Sequence, residues 1–239
     1  MARSIQQASL PEEVPTLEGW QINPFYQPAR EVGGDFYDFH LLSEGRLGLV
    51  VGDATGKGVP AALVMSTTCG MLQLAAQGSE AFSPGEVLSR VNETLVARIP
   101  QNMFVTCFYA ILDPKSARLR YANAGHDLPC LNRNGEAEEL RARGMPLGLM
   151  PAMNYEEKEV MLDAGDSALF YSDGLVEAHD PKGEMFGFPR LRELIGEHGE
   201  EERALGDFLL QELHSFVGEE WEQEDDITLL TLRRCASLN

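Results

Sequence analysis

Apolar positions recur along this chain at two spacings. Leu205, Phe208, Leu209, Leu213, Phe216 and Val217 return every three to four residues, the period of one buried helix face. Val87, Val91 and Leu95 keep the same period, with Leu88 beside them. Ahead of them Ser83 and Glu86 form a capping box, and Pro84 takes the first helical position, where a missing N–H is harmless. A further helix is expected from residue 59 to about 77.

Elsewhere the apolar runs are short and bounded by turn residues. Strands are predicted at 20–28, 35–42, 46–52, 104–112, 117–123, 128–131, 137–140, 167–171 and 227–232. The turn Ser43-Glu44-Gly45 and the Asn-Arg-Asn-Gly turn at 132–135 suggest hairpins, and Asp113-Pro114-Lys115-Ser116 joins the two strands on either side of it. Hairpins mixed with paired helices indicate an α+β fold with antiparallel sheets, not a doubly wound one. Residues 3–10 read as a short helix stopped by Pro11, and 11–19 as a linker. The expected organisation is therefore a linker or helical remnant over 1–19 and one domain over 20–239.

Charge narrows the function. Lys and Arg number 19 against 38 Asp and Glu, a formal net charge of -19. Such a chain lacks the basic clusters that neutralise nucleic-acid phosphates or anionic lipid. Its partners are expected to present basic or neutral surface. The 4 cysteines are far apart without a CxxC pair, so they read as free thiols in a reducing compartment, neither zinc ligands nor a disulfide framework. The polar N-terminus shows no secretory signal. The most apolar stretch, 61–76, is interrupted by Ser66, Thr67, Thr68, Gly70 and Gln73 and reads as too short and too polar to span a bilayer. A cytoplasmic protein is the expectation.

Several aspartates share one setting. Asp53 and Asp173 each end an apolar run, Asp225 and Asp226 open one, and Asp35 follows Gly33-Gly34. A carboxylate at the edge of a buried strand is costly unless paired or metal-bound, and basic partners are scarce here. An all-oxygen donor set selects hard ions, Mg²⁺ or Mn²⁺. Each Asp alone also suits a turn or a helix cap, and spacing does not bring the aspartates together.

The stretches PAREVGGDFYDF, VVGDATGKGVPAALVM, YANAGHDLP, MPLGLM, ALFYSDGLVEA, GEMFGF and DDITLL occur in this order. Together they resemble the sporulation-protein-E branch of the PPM (type 2C) protein serine/threonine phosphatases. The resemblance runs from about Arg30 to Leu230. It implies a sandwich of two antiparallel sheets flanked by helices. It also implies two divalent ions, Mn²⁺ or Mg²⁺, that activate water without a phosphoenzyme. Asp35, Asp53, Asp173 and Asp225 match the family's catalytic metal ligands, Ala54 its backbone-carbonyl ligand, and Asp226 is the alternative to Asp225. The implied substrate is a phosphoserine or phosphothreonine on a regulatory protein of the STAS anti-sigma-factor-antagonist type, in a partner-switching pathway. Relatives in this branch usually follow a sensor domain and dimerise through a helical linker or switch helices. Those relatives relay activation through the helices matching 59–77 and 83–99. This chain has Thr55-Gly56-Lys57 where eukaryotic relatives carry a His, so its leaving-group acid is unassigned. Arg30 reads either as a phosphate-binding arginine or as a surface or structural one.

Other motifs carry less. GDATGKG lacks the spacing of a P-loop, and no G-x-S-x-G elbow is present. His126 reads as a loop-stabilising residue, and the acidic run 218–226 as a solvated loop without the calcium-loop pattern. Two other classes stay open at this point: a catalytically silent PPM-like binding module, and a metal-dependent hydrolase of small phosphate esters.

Overall fold

In the computed structural model, residues 3, 6, 8–77, 82–198, 204–219 and 221–235 are described. Their order along the chain is β1 (Trp20–Gln27), β2 (Asp35–Leu41), β3 (Leu47–Ala54), α1 (Val59–Ala76), α2 (Pro84–Val96), β4 (Val105–Asp113) and β5 (Arg118–Ala124). Then follow β6 (Cys130–Arg133), β7 (Glu136–Glu139), β8 (Glu157–Met161), β9 (Ser167–Tyr171), α3 (Asp173–Val176), α4 (Gly187–His198), α5 (Leu205–Val217) and β10 (Ile227–Arg234).

These elements fall into two units, neither of them one continuous stretch. The first comprises Met1–Glu13, Arg30–His126 and Arg141–Leu162. Its sheet runs β2-β3-β4-β5-β8, antiparallel throughout. Phe36, Val50 and Tyr109 of the sheet pack with Met65 and Leu72 of α1 and Leu88 and Leu95 of α2. The second unit comprises Val14–Ala29, Asp127–Leu140 and Asp163–Asn239. Its sheet runs β1-β10-β9-β6-β7, also antiparallel, with β1 paired along its length to β10. Leu169, Tyr171 and Leu229 pack there with Leu191 and Ile195 of α4 and Leu209 and Leu213 of α5. The α+β class with two antiparallel sheets and helices packed on them is the one the sequence indicated.

Local chemistry explains the elements that match. The Ser83 hydroxyl accepts the Glu86 N–H, the Glu86 carboxylate accepts the Ser83 N–H at 2.8 Å, and α2 buries Val87, Val91 and Leu95. The helix at 205–217 and the strand at 167–171 have the expected bounds. Three elements escaped the sequence pattern. β8 reads EKEVM and is mostly solvent-facing, so it carries no apolar run. α4 holds Pro189 and two glycines, which hide the helical spacing of Leu191, Leu194 and Ile195. α3 is a single turn after β9.

α1 starts before the apolar stretch of residue 61 and is 18 residues long, enough by length and composition to cross a membrane. This corrects the expectation that the stretch is too short. Its residues Ala61, Met65, Cys69 and Leu72 nevertheless lie in the core of the first unit, as a core helix's would. Val59, Leu63 and Leu74 are exposed on its other side.

Of the helix expected over 3–10, Arg3 and Gln6 are helical and Ala8 and Ser9 form a turn, while residues 4, 5 and 7 lie outside the described ones. Gln6 is only 4% exposed. All four cysteines are free.

Candidate functional site

In the first unit the antiparallel register of β2 and β3 sets Asp35 directly opposite Asp53. The register of β3 and β4 sets Thr106 opposite Asp53 in turn. Opposed residues in a sheet share a face, so Asp35, Asp53 and Thr106 form one row across three strands. Asp35 is 2% exposed, and Asp53 is half-buried. Gly34 lies against this row. A Cβ there would stand 2.5 Å from the Ala54 carbonyl oxygen and 2.7 Å from Asp53 Oδ1, so the absent side chain leaves a small cradle beside two oxygens. The Ala54 N–H donates to the Gly34 carbonyl at 3.1 Å, which ties the two strand ends together. Next along, the Thr55 hydroxyl donates to the Phe104 carbonyl at 2.7 Å, and Gly56 and Gly58 take positive φ before α1.

Two further groups brace this row. The Gln6 side chain bonds Gly33, one residue before Gly34. Nδ1 of His126 lies 2.9 Å from the Thr106 hydroxyl. The His126 backbone is held by the Asn123 carboxamide, which accepts its N–H at 2.7 Å and donates to its carbonyl at 2.9 Å.

In the second unit β9 and β10 are stitched at their ends. Ser172 N–H donates to the Thr228 carbonyl at 3.0 Å, and Thr228 N–H donates to the Ser172 hydroxyl at 3.0 Å. The Ser172 hydroxyl also reaches the Asp226 carbonyl at 3.3 Å. Asp173 thereby follows a strand end joined to Asp226, and Gly174 is so close to the Asp226 carbonyl that no side chain fits. The two neighbouring acids differ. Asp226 is buried and its carboxylate accepts the Ala29 N–H at 2.8 Å. Asp225 is half-exposed and accepts the Asp226 N–H at 2.9 Å. Burial, then the charges of Asp173 and Glu177, push the Asp127 carboxyl up to about 6.

The structure thus groups Asp35 with Asp53 and Ala54, and Asp173 with Asp225 and Asp226. Among the described residues, no group of three or more His, Cys, Asp or Glu side chains is placed to hold a metal ion. The donor chemistry fits a hard cation all the same. In the first unit it consists of carboxylates and a backbone carbonyl, with a cradle at Gly34 that any larger residue would fill. Arg30 is exposed. Thr106, Asn123 and Asp127 were not picked out from sequence, and Gln6 was read only as part of the helical segment 3–10. Asn123 and Asp127 flank His126 within YANAGHDLP, but Thr106 shows only through strand register and Gln6 only through the fold.

Known proteins share this arrangement of sequence and fold. The family model for stage II sporulation protein E (SpoIIE) matches residues 43–235. Protein IcfG of Synechocystis is 32% identical over 97% of this chain and 40% of its own length. Phosphoserine phosphatase RsbU of Bacillus subtilis is 30% identical over 98% of this chain and 69% of its own length. Among solved structures, the SiaA-PP2C domain of Pseudomonas aeruginosa superposes with a TM-score of 0.83 at 25% identity, covering 97% of this chain and 93% of that one. The chain therefore spans under half of IcfG and about two thirds of RsbU. On the breadth of the family match and the likeness to RsbU, the chain belongs to the SpoIIE family of PPM (type 2C) protein serine/threonine phosphatases.

Proposed function

We propose that this chain is the output domain of a larger regulated protein, and that it removes phosphate from phosphoserine or phosphothreonine on a regulatory partner of the STAS type in a partner-switching pathway. The observation that carries this reading is the register of Asp35 against Asp53, beside the Ala54 carbonyl and the bare Gly34, in a chain of this family. The proposed ligands are those the family resemblance matches: Asp35, Asp53, the Ala54 carbonyl, Asp173 and Asp225. The more open position of Asp225 favours it over the buried Asp226.

Two divalent ions, Mn²⁺ or Mg²⁺, bound by such ligands would supply an activated water and offset phosphoryl charge. The chain's own contribution is positional. Asp35 and Asp53 are fixed by strand pairing, Gly34 keeps the space beside them open, and Gly174 lets the turn after β9 pack against Asp226. No cysteine or serine nucleophile is needed, in line with three cysteines that are buried and thiols at Cys69, Cys107 and Cys130 that burial holds in the protonated form.

Residues 1–19 are proposed to lead from a preceding helical segment into the domain. The apolar side of α1 with Val59, Leu63 and Leu74 supports pairing of two copies through the α1–α2 region. The net charge of -19 supports a protein substrate with basic or neutral surface near its phosphorylated residue.

The test is phosphate release from a phosphorylated STAS protein by the purified chain with Mn²⁺ or Mg²⁺. Turnover that Asp53→Asn abolishes is expected. Absence of turnover with either ion in the dimeric protein, or turnover in Asp53→Asn within a few-fold of wild type, would overturn the reading.

A further inference from the structure

We infer that Thr106 and His126 form a positioning pair for Asp53, which sets how firmly the site holds its cation. The inference rests on the proposed role of Asp53 as a ligand.

Thr106 is the β4 residue directly opposite Asp53. Its hydroxyl is 3.5 Å from the Asp53 main-chain carbonyl, long for a hydrogen bond, and 2.9 Å from Nδ1 of His126. The short contact is the one that fixes the hydroxyl. A threonine hydroxyl opposite a carboxylate would otherwise be at liberty to donate to it. That would occupy a lone pair needed by a cation. Held to Nδ1 of His126, the hydroxyl is drawn away from the Asp53 carboxylate, on the side where a cation would bind.

The loop does not need the imidazole for its own closure. Asn123 already satisfies both backbone groups of His126. Gly125, at φ +71, has the Pro146 ring against it, where a Cβ would stand 2.9 Å away. Backbone and packing therefore shape the turn. The ring, buried at 7% exposure, sets its Nδ1 against Thr106. This geometry is that of a group one step behind a metal ligand, orienting it without touching the metal.

The experiment is calorimetric titration of Mn²⁺ into the metal-free protein, with thermal unfolding of the same samples. Thr106→Val keeps the side-chain shape and removes the hydroxyl. It is expected to weaken Mn²⁺ binding by about tenfold, the lower end for groups behind a ligand. Thr106→Ser is expected to restore binding to within about twofold, and His126→Gln to weaken it like Thr106→Val. Should Thr106→Val fold poorly, Thr106→Ala reads the same loss. Unchanged Mn²⁺ affinity in Thr106→Val and His126→Gln, where Asp53→Asn has lost binding, would overturn the inference alone. Equal losses in Thr106→Val and Thr106→Ser that follow melting temperature would assign the pair to stability and overturn it too. Full binding in Asp53→Asn would overturn the ligand reading beneath it.

Discussion

The Gln6 carboxamide holds both polar groups of Gly33: its Nε2 donates to the Gly33 carbonyl at 2.6 Å, and its Oε1 accepts the Gly33 N–H at 3.1 Å. Gly33 is buried and leads into Gly34 and Asp35. Gln6→Leu strands two buried backbone groups, so stability should fall by about 2 kcal/mol in urea denaturation. Hydrogen exchange at residues 33–35 should quicken more than at β4 and β5. Equal protection at 33–35 in the two proteins would contradict this account.

Gly34→Ala tests the cradle. The new Cβ meets the Ala54 carbonyl and Asp53 Oδ1, one of which is backbone and yields little. Overpacking of this kind costs about 1–3 kcal/mol. Activity should fall by more than that destabilisation explains, because the displaced atoms are two of the proposed ligands. Wild-type phosphate release in a folded Gly34→Ala protein would remove the cradle from the site.

Asp225 and Asp226 should separate by readout. Asp225→Ala should remove activity with the smaller loss of melting temperature, since the Asp225 carboxylate, which accepts the Asp226 N–H, belongs to a half-exposed residue. Asp226→Ala frees the Ala29 N–H from its acceptor and should cost about 1–3 kcal/mol of stability, with the smaller effect on turnover per folded molecule. The reverse pattern would make Asp226 the ligand.

Asp127 gives a pH signature in the metal-free protein. Its carboxyl rises from 3.8 to about 6 on folding, so the folded state binds the proton more tightly. Wild-type stability on this account falls as pH rises from about 4 to about 6 and is level above that. Asp127→Asn does not titrate. It should be more stable than wild type by about 3 kcal/mol at pH 7, and the difference should shrink towards pH 4. A difference independent of pH would refute the assignment.

Sequence legibility followed the range of the forces involved. The capping box at Ser83 and Glu86 is a local contact and was readable, as was the apolar period of 205–217. The strand ends that carry Asp53 and Asp173 were visible as sharp borders of apolar runs. Which aspartate faces which was not visible, since Asp35 meets Asp53 only through a register that one slipped residue would reverse. Thr106 is anonymous in sequence because its meaning comes from the strand beside it. Gln6 lay in a segment read as a short helix leading into a linker, where a buried amide pair with residue 33 has no local signal.

The pairing of β1 with β10 orders events during synthesis. Trp20–Gln27 leaves the ribosome long before Ile227–Arg234, its one neighbour in the sheet among the described residues. Until then β1 is an unmatched strand and β9 lacks its partner on one side. The second unit's sheet therefore closes only once the last strand slides between two waiting ones, a late, long-range step that leaves the nascent chain exposed to wrong pairings. A nascent chain stopped before Ile227 would lose not a fringe of the fold but the strand that joins its first segment to the rest.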